Sequence, residues 1–364
     1  MTIKNIAVIL EELAPLHYAE DFDNVGLLVG QWEQEVNGIL VTLDTLENVV
    51  DEAIKKECNL IVSFHPILFT GIKKITGANY VERVLLKAIK NDIAIFSMHT
   101  ALDNSPLGVN AKICEVLGLG NTKILRPKEG TIKKLTTYVP VDKADALRDG
   151  LFRAGAGSIG NYSECSFSVV GTGSFKPGTD AHPIIGQEGV THFEKEVQLN
   201  LTFPAAFEKA VLSALFTNHP YDEVAYEMET LENSNQNIGM GMVGTLATPM
   251  KEIEFFQYLK SHMNASVIRH STLLGKDVEK VAVLGGSGAF AILDAVRAGA
   301  DVFVTADVKY HQFYQAEGQL VIADIGHYET EQFTKNLLVD FLKKKIPNFA
   351  VTLSESITNP IKYF

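Results

Sequence analysis

The chain has 364 residues, of which 46% are hydrophobic and 21% charged, so it can bury one large core or two smaller ones. Its formal net charge of -12 opposes binding to phosphate backbones, and nucleic acid is not an expected partner. Its three cysteines lack CxxC spacing, which argues against a disulfide framework and a thiolate zinc site. The sequence contains no uncharged apolar run of about 18 residues, so we predict no membrane span. We expect a globular protein of the reducing cytoplasm.

The first third of the chain predicts an amphipathic helix followed by alternating strands and helices. Residues 1–20 do not resemble a signal peptide, because Glu11 and Glu12 interrupt their apolar stretch. From residue 37 the runs GILVTLD, NLIVSFHPILF and IAIFSMHTALDN alternate with helical periodicity, which is βαβαβ order. Their nearly continuous apolar cores are typical of strands covered by helices on both faces of a parallel or mixed sheet.

The middle of the chain predicts a different architecture. Its pattern is strand, helix, two strands, helix and strand, the βαββαβ order of a ferredoxin-like fold. The predicted ranges are 134–140, 142–154, 163–173, 192–203, 204–216 and 223–231. Turn-rich segments at 126–130 and 232–242 flank it as linkers. We therefore predict a discontinuous α/β domain, 1–125 and 241–364, with an inserted ferredoxin-like domain at 126–240.

The end of the chain returns to α/β order. KVAVLGG, DVFVTAD, QLVIADIG and FAVTLS read as strands separated by helical segments. Residues 286–291 match G-x-G-x-x-A after a strand, which is a dinucleotide fingerprint. The same glycines also arise where a tight strand-to-helix crossing needs small residues, and we assign no nucleotide cofactor to them.

Polar residues at the ends of predicted strands indicate a metal site. His65, the segment 99–103 and His327 each follow a strand, where α/β sheets bind ligands. His327 and Glu331 lie four apart and share one helix face. Imidazole and carboxylate ligands suit Zn, Mn, Fe or a similar ion. We expect His65, Asp103, His327 and Glu331 to meet at the edge of one sheet, although each alone could be a turn, core or solvated helix residue.

Five segments resemble the NIF-three-like family, also called GTP cyclohydrolase 1 type 2 homologs. They are DNVGLLVG (23–30), FHPILF (64–69), HTALDN (99–104), TADVKYH (305–311) and GHYETE (326–331). The resemblance implies a dinuclear metal centre with ligands from HHP, HTxxD and GHxxxE motifs, which correspond here to His65, Asp103, His327 and Glu331. Phe64 stands where the family has the first histidine of HHP. We therefore expect one strong and one weak metal position, holding Zn first and Mn, Fe or Ni as alternatives.

The resemblance also suggests roles for the residues around the ligands. His99, His311 and Asp307 are candidates for proton transfer or for support of the ligands, with helix or turn capping as the alternative. The inserted domain resembles the PII-like or CutA-like insertion of longer family members. Its three histidines are expected to be surface or turn residues; they are His182, His192 and His219.

Two functions remain open at this stage. The first is a metal-dependent hydrolase with the GTP cyclohydrolase-like reaction that the family name implies, acting on a nucleotide or small phosphorylated ligand. The second is a non-enzymatic metal-binding or regulatory scaffold. For either function the resemblance implies a homo-oligomer, with a hexamer as the expected state.

Overall fold

The computed structural model describes residues 1–233, 235 and 237–364. The chain divides into two compact units, Met1–Pro127 with Gln236–Phe364, and Lys128–Asn235. Two predicted linkers are wrong in part, because 126–127 and 239–242 belong to paired strands. Positions 234 and 236 of the second linker lie outside the described residues.

The helices and strands of the described residues follow in chain order. The helices are α1 (Ile3–Leu13), α2 (Glu47–Lys55), α3 (Tyr80–Lys90), α4 (His99–Asp103), α5 (Val109–Val116), α6 (Ala144–Arg153), α7 (Glu208–Asn218), α8 (Glu252–His262), α9 (Ile292–Arg297), α10 (His327–Glu331) and α11 (Thr334–Lys345). The strands are β1 (Gly26–Val29), β2 (Ile39–Thr42), β3 (Leu60–Ser63), β4 (Ala94–Ser97), β5 (Gly120–Pro127), β6 (Ile132–Pro140), β7 (Phe167–Phe175), β8 (His192–Pro204), β9 (Tyr226–Leu231), β10 (Gly239–Lys251), β11 (Arg269–His270), β12 (Asp277–Ser287), β13 (Val302–Ala306), β14 (Val321–Asp324) and β15 (Val351–Leu353).

The first sheet contains the predicted βαβαβ segment. Its strand order is β1-β4-β3-β2-β15, with β15, β2, β3 and β4 parallel and β1 antiparallel to β4. Every residue of β2, β3 and β4 is buried, which confirms strands covered on both faces. Ile39 pairs with Leu60, and Leu60 pairs with Ala94, so the carboxyl ends of these strands lie at one edge.

The second sheet contains the remaining strands of the first unit. Its order is β11-β14-β13-β12-β10-β5, with β12, β13 and β14 parallel. The expectation of one sheet for all four ligand candidates is therefore wrong. His65 and Asp103 follow strands of the first sheet, whereas His327 and Glu331 follow β14 of the second. The two segments show the same strand and helix alternation, so the sequence pattern could not separate the sheets.

One hydrophobic core joins the two sheets. It contains Val62 and Phe64 from the end of β3 together with Val283 and Val304 from β12 and β13. Helix α11 packs on β2 and β15 of the first sheet and on α5, which packs on β10 and β12 of the second. Because the sheets share this core, residues from the strand ends of both can reach one place.

The second unit has the predicted ferredoxin-like order. Its four antiparallel strands are arranged β7-β8-β6-β9, and α6 and α7 cover one face. Along β8, Val197, Leu199 and Leu201 point toward those helices, while the residues between them face the other side. In the part of the chain that the structure describes, none of the helices combines the length and the apolar character of a membrane span.

Candidate metal centre

Three of the four predicted ligands converge. Single ligand atoms of His65, His327 and Glu331 all lie within 4.8 Å of one another. The Oε2 atom of Glu331 is 3.1 Å from Nε2 of His65 and 3.2 Å from Nε2 of His327. His65 follows β3, and the other two residues begin and end the short helix α10. The strand ends of two sheets thus supply one group, which we call the histidine–carboxylate group.

A carboxylate fixes the orientation of each histidine in this group. Nδ1 of His65 lies 2.8 Å from Oδ1 of Asp44, and Nδ1 of His327 lies 2.7 Å from Oδ2 of Asp307. These contacts leave both Nε2 atoms on the side of Glu331. Neither Nε2 is aligned with Oε2 as a hydrogen bond requires, in spite of the short distances. Histidine ligands of metals are commonly held by a carboxylate in this way.

Opposite charges hold the group together. Burial alone would lower the pKa of His65, but Asp44 and Glu331 raise it to about 10. Burial likewise opposes protonation of His327, yet Glu331 and Asp307 raise its pKa to about 9. Burial would raise the pKa of Glu331, and the two histidines instead hold it at about 2. The contacts between Glu331 and the two histidines therefore favour the anionic carboxylate and the protonated rings.

Asp103, the fourth predicted ligand, lies outside the 4.8 Å group but interacts with it through charge. Burial, together with the negative charge of Glu331, raises the pKa of Asp103 well above its usual value. Its Oδ1 atom is sealed from solvent and has no hydrogen-bond partner among the described residues. A buried carboxylate oxygen without a partner is costly unless a cation is present.

The glycines of the sequence fingerprint make room for this group. A Cβ atom at Gly286 would collide with Oε1 of Glu331, and one at Gly288 would collide with Oγ1 of Thr305. Gly286 also has φ +69°, a conformation that favours glycine. Close packing therefore accounts for both glycines, which favours the tight crossing over a phosphate site.

Phe64 fills the position where the family motif has a histidine. Its side chain is fully buried, and its ring lies edge-on to His99 with the centroids 5.5 Å apart. His99 is held through Nδ1, 2.7 Å from Oδ1 of Asp23, but is not part of the 4.8 Å group. The exposed ring of His311 contacts Tyr310 and Tyr314. In the described chain no hydrogen bond or ion pair joins His311 to Glu331, and proton transfer by His99 or His311 stays a prediction.

Sequence reasoning missed two of the three aspartates that hold the histidines. Asp307 was a candidate, but Asp44 and Asp23 were not. Asp44 follows β2 at the same carboxyl edge as His65, so the strand-end rule would have found it. Asp23 precedes the short antiparallel strand β1, which the periodicity did not reveal.

The protein is a discontinuous α/β protein with an inserted ferredoxin-like unit. In its α/β unit, aspartates hold histidines at the strand ends of two sheets. The sequence model of the family Duf34/NIF3 (NGG1p interacting factor 3) matches residues 1–360. The chain belongs to that family.

Relatives of known sequence or structure match the whole chain. A Bacillus subtilis protein named GTP cyclohydrolase 1 type 2 homolog is 38% identical over 365 residues, covering 99% of this chain and 98% of the relative. The crystal structure of a Bacillus cereus protein related to NIF3 is 36% identical, with a TM-score of 0.80 and coverage of 100% and 99%. Staphylococcus aureus protein SA1388 is 30% identical, with the same TM-score and coverage. The two-unit fold is therefore shared with these solved structures.

Proposed function

We propose that the chain binds a divalent metal ion through His65, His327 and Glu331, with Asp103 beside them, and acts as a metal-dependent hydrolase. The observation that carries this proposal is the convergence of two aspartate-held imidazoles on one buried carboxylate oxygen. Two histidines with carboxylates form a borderline donor set, which favours Zn and allows Mn, Fe or Ni.

Two buried oxygens of this site support a cation. The Oδ1 atom of Asp103 has no hydrogen-bond partner, and neither histidine is aligned to donate to Oε2 of Glu331. A cation held by the histidine–carboxylate group would satisfy Oε2 of Glu331, and its charge would also favour the anionic form of the buried Asp103. The ring of Phe64 offers no ligand at a second position, so we propose one strong and one weak site.

The surrounding residues can take part in hydrolysis. A bound divalent ion supplies Lewis-acid chemistry, because it polarises the bond that is attacked and acidifies water. Asp23 holds the ring of His99 through Nδ1, which leaves Nε2 to exchange a proton with a substrate. The buried ring of Phe64 keeps water away from one side of His65. The name of the relatives makes GTP the first substrate to test, with opening of the purine ring and release of formate as the reaction.

The proposal is tested with protein purified without a polyhistidine tag. Metal is removed with a chelator and restored separately with Zn, Mn, Fe or Ni, and metal per chain and formate released from GTP are measured. Retention of about one ion per chain and metal-dependent formate release are expected. Retained metal without turnover of GTP, other nucleotides or small phosphoesters would favour the non-enzymatic scaffold. A chain that retains none of the four metals would overturn both functions.

A further inference from the structure

The inserted unit contains a cavity of about 550 Å³ that is unrelated to the histidine–carboxylate group. Strands β7 and β8 and the segments 176–185 and 221–225 line it. Glu196 of β8 lies in this cavity and pairs with Gly171 of β7. Its neighbour Val197 faces the helices, so Glu196 and the cavity lie on the opposite face of the sheet. The volume is in the range of sites that hold small molecules.

Glu196 is a buried carboxylate with one oxygen uncommitted. Its residue is 8% exposed, and the hydroxyl of Tyr221 donates to Oε1 over 2.8 Å. Burial and the nearby Glu196 raise the pKa of Tyr221, so its hydroxyl remains a donor. No hydrogen bond among the described residues reaches Oε2. A Cβ atom at Gly173 would collide with that oxygen, so the glycine leaves space for the carboxylate. Because Glu196 lines the cavity, Oε2 is available to a donor or a cation bound there.

The charges around the cavity favour a cationic ligand over an anionic one. Three carboxylates line it, from Glu196, Asp222 and Glu223, against the single ammonium group of Lys176. Asp222 accepts hydrogen bonds from the backbone N–H groups of His182 and Glu223, so its side chain helps to fix the wall. The cavity therefore has a negative balance, and Glu196 is its buried charge.

Aromatic rings complete the lining. Tyr138, Phe175 and Tyr221 line the cavity, and the centroids of the last two rings are 5.9 Å apart. Aromatic faces attract cations, and apolar side chains such as Ile184 supply a surface for a hydrocarbon group. The three carboxylates of the lining form no group of ligand atoms within 4.8 Å among the described residues, so the lining favours an organic cation over a metal ion.

We propose that this cavity binds a small organic cation, an alkyl-substituted ammonium ion, whose charged nitrogen pairs with Glu196 among the aromatic rings. The site is independent of the proposed metal centre, because it shares no residue with that centre and needs no metal.

The full chain is titrated by calorimetry with choline chloride and with 3,3-dimethyl-1-butanol, a neutral molecule of nearly the same shape. Potassium chloride at equal ionic strength controls for unspecific salt effects. Choline is expected to bind in a saturable manner and at least about tenfold more tightly than the alcohol, because only choline carries the charge that Glu196 and the rings attract. Absence of saturable choline binding, or equal affinity for both molecules, would overturn the proposal.

Two variants test the position of the site. Glu196→Gln keeps the shape of the side chain without its charge, and Gly173→Ala displaces the charged group without removing it. Both are expected to weaken choline binding by about tenfold or more. The matched control is Glu229→Gln, a surface residue outside the lining that pairs with Lys134 over 3.2 Å, and it should leave binding unchanged. Thermal melting verifies that each variant is folded; a folded Glu196→Gln with unchanged affinity would refute the assignment.

Discussion

The two units each bury one glutamate carboxylate beside groups that could hold a ligand, but the neighbours differ. Glu331 of the first unit faces two imidazoles that aspartates hold in place. Glu196 of the inserted unit faces a phenol and a cavity lined by aromatic rings. A carboxylate with imidazoles forms a metal donor set, whereas a carboxylate with aromatic rings suits an organic cation. The neighbours, and not the acid itself, thus determine which cation each site favours.

The largest expected effect comes from removing the charge of the first carboxylate. Glu331→Gln should lower metal affinity by more than about a hundredfold, because both positions lose their shared ligand. Elemental analysis after dialysis measures this loss. Glu329→Gln is the matched control on the same helix, since Glu329 accepts a hydrogen bond from Asn359 and is not part of the histidine–carboxylate group. Equal metal content in the two variants would show that Glu331 is not a ligand.

The second prediction concerns a variant with an added metal ligand at the weak metal position of the first unit. Phe64→His should raise metal content from about one ion toward two per chain, because it supplies the histidine that the family motif has at this position. Phe64→Leu keeps the position apolar and should leave metal content unchanged, with both measured by elemental analysis. Two tightly held ions in the unmodified protein would contradict this view and indicate that another residue, such as His99, replaces the missing ligand.

The third prediction moves the first carboxylate without changing its charge, as Gly173→Ala does for the second. Gly286→Ala places a methyl group against Glu331 and should weaken metal binding by about tenfold. It should also cost about 1 kcal/mol in the free energy of unfolding, because of its positive φ. Gly318→Ala isolates the backbone strain, since Gly318 has φ +67° and no atom within 4 Å of an added Cβ. If both variants lose the same metal affinity, the space beside Glu331 is not the cause.

The fourth prediction concerns a carboxylate that stabilises the fold only. Glu52 of α2 accepts hydrogen bonds from the backbone N–H groups of Glu355 and Ser356 and from the hydroxyl of Ser354. Burial alone would raise its pKa, but these bonds and Lys56 lower it from 4.5 to about 2. The stability that Glu52 contributes is therefore complete above pH 4.5 and is lost as the pH falls toward about 2.

This acid dependence can be measured directly. Glu52→Gln should lower the free energy of unfolding by about 2 kcal/mol at pH 7 and by progressively less toward pH 3, while metal content stays unchanged. Urea unfolding at a series of pH values measures the difference. Glu47→Gln in the same helix removes a surface ion pair with Arg83 and should change stability by less than about 1 kcal/mol. A pH-independent difference for Glu52→Gln would contradict the assigned pKa.

The smallest effect on metal content is expected from removing the whole inserted unit. Pro127 of β5 and Gly239 of β10 are direct partners in an antiparallel pair, so the inserted unit occupies the position of a hairpin loop. Replacing 128–238 with a short Asn-Gly turn should leave metal content unchanged and abolish choline binding. Loss of metal from a folded truncated chain, shown by melting and elemental analysis, would mean that the insertion contributes to the metal site.

The extent to which the sequence could predict this protein follows from the same comparison. In parallel sheets covered on both faces, a polar residue after an apolar run is conspicuous, so His65, His327 and Asp103 could be found. In the antiparallel inserted sheet, polar residues alternate along every strand, and Glu196 looks like any solvent-facing residue. The ferredoxin-like order itself was predictable, because the alternation of β8 and the helical periodicities are strong.

Other features depend on pairing across long stretches of chain. The division into two sheets was not predictable, because both α/β segments have the same local pattern. The contacts of Asp23 with His99 and of Asp44 with His65 form only when residues distant in sequence are brought together by the fold. Local periodicity contains no information on such contacts, whereas the family resemblance correctly indicated the overall architecture.

The last strand of the chain has a consequence for how the protein is made. Strand β15 pairs with β2, so the edge of the first sheet is completed by residues synthesised roughly 300 positions after β2 itself. At about 5–20 residues per second, β2 waits for roughly 15–60 seconds on the ribosome with its edge unpaired. An unpaired edge next to apolar residues is a template for aggregation. A stop codon before residue 351 would remove β15 and leave the edge of β2 unpaired permanently.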